Sequence, residues 1–153
     1  MLMTDVFERT GPGGYTVSTD PGRLDVDRIH RFLAGSYWSP GIPHSTVARG
    51  IANSLAFGLY APDGQQAGFA RAITDRATHA HLADVYVEVA HQGRGLGKFL
   101  VSCVMEHPEL QSLRRFTLGT ADAHGLYARF GFGPLPKPDW QMSIERQPEE
   151  IWP

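Results

Sequence analysis

The sequence predicts an α+β fold in which one mixed, mostly antiparallel sheet of about six to seven strands is flanked by about four helices. Three observations lead there. The hydrophobic period changes from helical to strand-like near Leu55. A turn of hairpin chemistry, Pro62-Asp-Gly64, separates two strand-like runs. A glycine-rich stretch then opens an apolar helix, and a further strand follows it.

Taken in order, Gly11-Pro-Gly-Gly14 is a turn, and Tyr15-Thr-Val-Ser18 is a short strand that Asp20-Pro-Gly22 breaks. Leu24, Ile29, Phe32 and Leu33 fall near one helical face, which predicts the first helix. Gly35 to Gly41, GSYWSPG, is a loop, and Pro43 suits the first turn of a second helix that runs to about Asn53. Leu55–Tyr60, Gly68–Thr74 and His79–Glu88 read as an antiparallel meander. From Gly95, a helix carries Leu96, Phe99, Leu100, Cys103 and Val104 at buried-face spacings until Pro108 stops it. Arg115–Gly119 is a strand, and the strand–helix–strand order predicts that it lies parallel to the strand ending near Glu88. Asp122 to Arg129 is a short helix with Asp122 as its cap. Gly131-Phe-Gly133 is a turn, Gln141–Arg146 the last strand, and the tail from Pro148 to Pro153 is ambiguous. The whole, residues 1–153, is expected to be one domain.

Hydrophobic residues make up 42% of the chain and charged residues 20%, with a formal charge of -2, a balance that gives no basic footprint for nucleic acid. No apolar run reaches the roughly 18 residues of a membrane helix. The N-terminal residues lack a basic region followed by an apolar one, so a signal peptide is not expected. With the single cysteine, Cys103, no internal disulfide forms, and a cytoplasmic protein is the expectation. The seven histidines are scattered, and no third ligand joins His79 and His81, so no metal site is expected.

The stretch His91-Gln-Gly-Arg-Gly-Leu-Gly-Lys98 carries the most chemistry. A dinucleotide fingerprint needs G-x-G-x-x-G, but its third glycine would fall on Lys98. A Walker loop would place its first glycine on Gln92 and its Ser/Thr on Phe99. Both fail on spacing. What remains is Q-x-x-G-x-G, formed by Gln92, Gly95 and Gly97 directly before a helix. Free amides at a helix N-terminus attract anions, and glycines let phosphate oxygens approach the backbone. A plain glycine-rich surface turn is the alternative.

This loop resembles the acetyl-CoA pyrophosphate loop of the GCN5-related N-acetyltransferase (GNAT) family. A strand whose hydrophobic residue, Val87, stands five positions before Gln92 leads into it, and Tyr127-Ala-Arg-Phe-Gly131-Phe132 follows in the family's order. The resemblance is strong from Leu55 to Phe132 and holds in element order before that. One position departs: where the family often has an asparagine seven residues before the tyrosine, this chain has Thr120.

The resemblance implies acyl transfer from acetyl-CoA to an amine. Gln92, Gly93, Arg94, Gly95, Leu96, Gly97 and Lys98 would hold the phosphates, and Thr120 would stand at a cofactor contact. The parallel strands would splay at a bulge, so that the backbone of Val85 and Val87 pairs with the pantetheine arm and polarises the thioester carbonyl. Tyr127 is the candidate general acid, since a phenol with a pKa near 10 stays protonated at neutral pH and can donate to a forming thiolate, whose thiol has a pKa of about 8.5. Asp84 and His81 are both candidate bases. Strand alternation puts His81 on one face and Asp84 with Glu88 on the other unless a bulge intervenes, and Asp84 could instead orient a cationic substrate. Tyr37 and Trp38 would line the acceptor site, where aromatic faces can hold an ammonium. The acceptor would be an amine-bearing small molecule or peptide, and the last strand with the Ile151-Trp152 tail could supply a homodimer interface. A non-catalytic acyl-CoA sensor of the same fold is the competing reading.

Overall fold

The computed structural model describes residues 5–152. These form two compact units, one of residues 5–25 with 50–119, the other of residues 26–49 with 120–152.

The first unit is built on a six-stranded sheet in sequential order: β1 (Glu8–Thr10), β2 (Thr16–Ser18), β3 (Leu55–Tyr60), β4 (Gln66–Thr74), β5 (His79–Val87) and β6 (Arg115–Leu118). Every pairing is antiparallel except the last, β5 with β6, which is parallel as the intervening helix requires. That helix, α3 (Leu96–Glu106), packs on β3, β4 and β5. It buries Leu96, Leu100, Cys103 and Val104, the i, i+4, i+7, i+8 set of one face. Phe57, Leu59, Phe69, Leu100 and Val101 make the centre of this core, with no exposed surface. Ala70, Ala72 and Ala80 are also fully buried, and such small residues let a helix approach a sheet closely. After α3, His107 closes the helix and starts the turn Pro108–Leu110, with its Nδ1 accepting from the Glu109 N–H at 3.1 Å. The ring is 1% exposed and packs edge-on to Phe57.

The strand Glu8–Thr10 is not expected from the sequence, because three exposed residues show no alternation. Its turn matters all the same. Gly11 comes so close to the Phe99 ring of α3 that a side chain there would overlap it, and the Tyr15 hydroxyl lies 2.7 Å from His91 Nδ1. The N-terminal hairpin therefore braces the start of α3.

The second unit contains α1 (Val26–Ala34), which buries Ile29 and Leu33, and most of α2 (His44–Ala52). Pro43 stands just before α2 and its carbonyl accepts from the Val47 N–H. The chain then returns with α4 (His124–Ala128) and ends in α5 (Pro148–Ile151). Two expectations need correction here. Asp122 does not cap α4; Ala123 stands at the N-cap with no side-chain cap bond, and its N–H donates to the Thr120 hydroxyl at 3.0 Å. Residues 141–146 pair with no strand, and the alternating Met142 and Ile144 are 97% and 85% exposed. The pattern of a half-buried strand is there, but no sheet edge takes it up among the described residues. No helix among the described residues is long and apolar enough to cross a membrane.

Candidate active site

The middle of β5 departs from regular geometry. Phe69 pairs with Tyr86 and Arg71 with Ala83, so Ala70 alone faces two residues, Asp84 and Val85. This is a β-bulge, and within it Asp84 has a left-handed backbone, with φ 56°. The bulge overrides the simple alternation that would have put Asp84 on the same face as Glu88.

Beyond the bulge the sheet opens. β6 pairs with β5 only from His79 to Leu82. The Glu88 N–H donates to the Ala67 carbonyl on the β4 side, so by alternation the backbone groups of Val85 and Val87 face the opposite edge, where β6 has ended. Gln92 reaches back there: its side-chain amide donates to the Val87 carbonyl at 2.9 Å and ties the loop to the strand.

The glycine loop follows at once. The backbone turns at Val89–His91, takes left-handed conformations at Gly93 (φ 80°) and Gly95 (φ 76°), and enters α3 with Gly95 as N-cap. No side chain caps this end and no acid stands in the first turn, so the amides of Leu96, Gly97 and Lys98 have no intrahelical partner. A methyl group added at Gly93, Gly95 or Gly97 would meet nothing within 4 Å. The surface over these amides is thus bare, and Gln92, Gly93, Arg94, Gly95 and Lys98 around it are exposed. The arrangement suits an anionic group that needs several N–H donors.

Before the bulge, His81 lies in register with Thr117 of β6, its Nδ1 2.8 Å from the Thr117 hydroxyl. Burial, then the neighbouring His79 and Arg71, hold its pKa below the ordinary imidazole value, so the ring is neutral at pH 7. Asp84 is engaged otherwise: its carboxylate accepts from Arg71 Nε at 3.0 Å. Arg71 is not distinguished in the sequence from any other strand arginine. Among the described residues no group of three or more His, Cys, Asp or Glu could hold a metal ion.

In the second unit, Tyr127 is 9% exposed, with its ring edge-on to Phe132 at 6.1 Å. Burial raises its pKa above that of a free phenol, and Tyr37 and Asp122 add to the rise. Tyr127 therefore carries its proton throughout the neutral range. The influence of Tyr37 brings it into the neighbourhood of Tyr127. The loop that carries Tyr37 is set by Ser36, whose buried hydroxyl donates to the Leu33 carbonyl and accepts from the Ser39 N–H. Tyr37 and Trp38 stack edge-to-face at 5.1 Å and are 69% and 37% exposed. Thr120 is turned to its own chain, as the partner of Ala123.

The profile of the acetyltransferase (GNAT) family matches residues 26–132. A candidate acetyltransferase of Gibberella zeae is 32% identical over 139 residues, which are 76% of this chain and 77% of the relative. A crystal structure of a candidate GNAT-family acetyltransferase from Xanthomonas campestris pv. campestris is 48% identical and superposes with a TM-score of 0.87, covering 90% of this chain and 97% of that one. A Mycobacterium tuberculosis protein crystallised in complex with CoA shares the fold at 22% identity and a TM-score of 0.62, over 78% of this chain and 72% of that one. With a bulged strand, a glycine-opened helix and a buried tyrosine in the family's order, and with the family match spanning most of its length, this chain belongs to the GNAT acetyltransferase family.

Proposed function

We propose that the protein transfers an acetyl group from acetyl-CoA to a primary amine by direct attack. One observation carries this reading: the open edge of β5 after Leu82 runs straight into the uncapped N-terminus of α3. An extended arm ending in phosphates would need such a surface, with strand backbone for the arm and helix amides for the charge. The fold relative from Mycobacterium tuberculosis, which is in complex with CoA, supports the choice of donor.

When bound, the cosubstrate supplies an activated thioester. The residues of this chain do the rest. Gly93 to Lys98 offer backbone donors to the pyrophosphate, and Arg94 and Lys98 add positive charge. The exposed Gln92 flanks these donors, Leu96 gives the first helical amide, and Thr120 lies where the family often has a cofactor-contacting asparagine. The Val85 and Val87 backbone offers strand pairing, and an N–H of this edge stabilises negative charge as it builds on the thioester oxygen. His81, neutral at pH 7, takes the ammonium proton directly or through water. Tyr127 stays protonated in its buried setting until the thiolate departs, and then donates to it; the phenolate left behind is the stronger base and regains its proton from water. Tyr37 and Trp38 offer exposed aromatic faces to a cationic acceptor.

The test is a thermal-shift titration with acetyl-CoA, CoA, ATP and NAD, followed by a panel of amines assayed for CoA release. Stabilisation by acetyl-CoA and CoA alone, with turnover on at least one amine class, is the expected result. Binding without turnover on any amine would favour an acyl-CoA sensor, and no shift at millimolar acetyl-CoA would remove the donor assignment.

A further inference from the structure

Asp84 is a non-glycine residue held in the left-handed region in the middle of a strand, a conformation that aspartate and asparagine accept more readily than other side chains. Its carboxylate meets Arg71 Nε at 3.0 Å, with the two side chains only 11% and 20% exposed. Arg71 lies on β4 opposite Ala83, the last regular pair before the bulge. Its Nη1 donates to the Ser54 hydroxyl at 3.2 Å, and that hydroxyl donates to the Gly50 carbonyl at 2.7 Å. A methyl group on Gly50 would stand 3.4 Å from Arg71 Nη1, an ordinary contact distance, so the guanidinium lies directly against the end of α2. The chain of contacts thus runs from the end of α2 through Ser54 and Arg71 to the bulge.

We propose that Asp84 is a positioning residue and not the proton acceptor: with Arg71 it locks the bulge that turns the Val85 and Val87 backbone toward the cosubstrate. The inference rests on the acetyl-CoA reading above. Two features of the side chain are used, its tolerance of the left-handed backbone and its oxygen that accepts from Arg71. Neither requires it to bind a proton. Asparagine keeps both features, glycine keeps the first, and alanine keeps neither.

Steady-state kinetics and acetyl-CoA binding of Asp84→Asn, Asp84→Gly, Asp84→Ala and Arg71→Met separate the roles. Asp84→Asn is expected to keep turnover within about threefold of the parent, whereas Asp84→Ala and Arg71→Met each lose about 100-fold, the scale of a misplaced reacting group, and bind acetyl-CoA more weakly. Asp84→Gly should fall between them. A base would behave differently: all three Asp84 variants would lose turnover alike, with binding of acetyl-CoA intact and the acidic limb of the pH–rate profile removed. Equal inactivity of the Asn and Ala variants with unchanged binding overturns the proposal. Amide hydrogen exchange of the free proteins gives a second readout that needs no ligand. The amides of Tyr86 and Glu88, which face β4, should exchange faster in Arg71→Met and Asp84→Ala than in Asp84→Asn, and equal rates in all three would sink the lock. If the parent itself fails to bind acetyl-CoA while this exchange pattern appears, the donor reading has failed and the lock has not.

Discussion

At the scale of single residues, the proposed chemistry divides between a group whose proton is held and a group whose proton is kept away. Burial keeps the Tyr127 phenol protonated, and Tyr127→Phe is expected to lower kcat by about 100-fold, as loss of a general acid does, with little change in KM for acetyl-CoA. An unchanged kcat would remove it from the mechanism. His81 is shifted the other way, by burial and by the positive charges of His79 and Arg71. As the proposed base it works in its neutral form, so activity should rise with pH through an apparent pKa below about 6.5, the ordinary imidazole value. Replacing His79 with asparagine removes one of those charges, and the limb of the pH–rate profile should move upward. Tyr127 could be picked out in the sequence through its spacing to Gly131-Phe132. Arg71 could not, because the positioning role proposed for it comes from the bulge opposite it, and a bulge is a property of two strands together.

At the scale of elements, the opening of α3 invites a separation of stability from binding. Gly97 is a helical residue at which an added methyl would meet nothing within 4 Å, so Gly97→Ala should stabilise the free protein by about 0.5–1 kcal/mol through helix propensity. The same methyl would stand among the amides proposed to hold phosphate, so affinity for CoA should fall. Calorimetric titration beside thermal unfolding checks both, and equal or tighter CoA binding would argue against the cradle. Gly95→Ala should lose on both counts, since φ 76° costs an alanine about 1–2 kcal/mol. The glycine spacing and the periodic apolar face made this element plain in the sequence. The segment 141–146 misled for a physical reason. Alternation reports that a strand is possible, but pairing needs an edge, and no sequence pattern shows where an edge will be. Asp122 misled in a similar way: aspartate is a favoured capping type, but Ala123 stands at the N-cap without a side-chain cap bond, and only the backbone path decides which residue takes that place.

For the molecule as a whole, stability should depend on acid through His107. Burial holds its pKa below the ordinary value, and its Nε2 lies buried without a hydrogen-bond partner among the described residues. A group whose folded pKa is depressed contributes its full share of stability above the unfolded value and loses it as pH falls. The melting temperature should therefore decline as pH drops below about 6.5. His107→Asn retains an acceptor for the turn at Glu109 but cannot titrate there. It should melt lower at pH 7.5, because packing against Phe57 is lost, yet show a shallower decline in acid. An equally steep decline would assign the acid sensitivity elsewhere. The β3–β5 meander, the parallel closing pair and the helix between them were legible, because hydrophobic period and connection rules constrain them, whereas the places of β1 and β2 in the sheet were not.

The buried sulfur of Cys103 has a practical consequence. It is 1% exposed, and burial pushes its pKa to about 11, so the folded chain presents almost no reactive thiolate at neutral pH. A colorimetric disulfide reagent would then register only the CoA set free by turnover, against a nearly silent background. One equivalent of label appearing slowly in the absence of substrate would instead time the opening of the core.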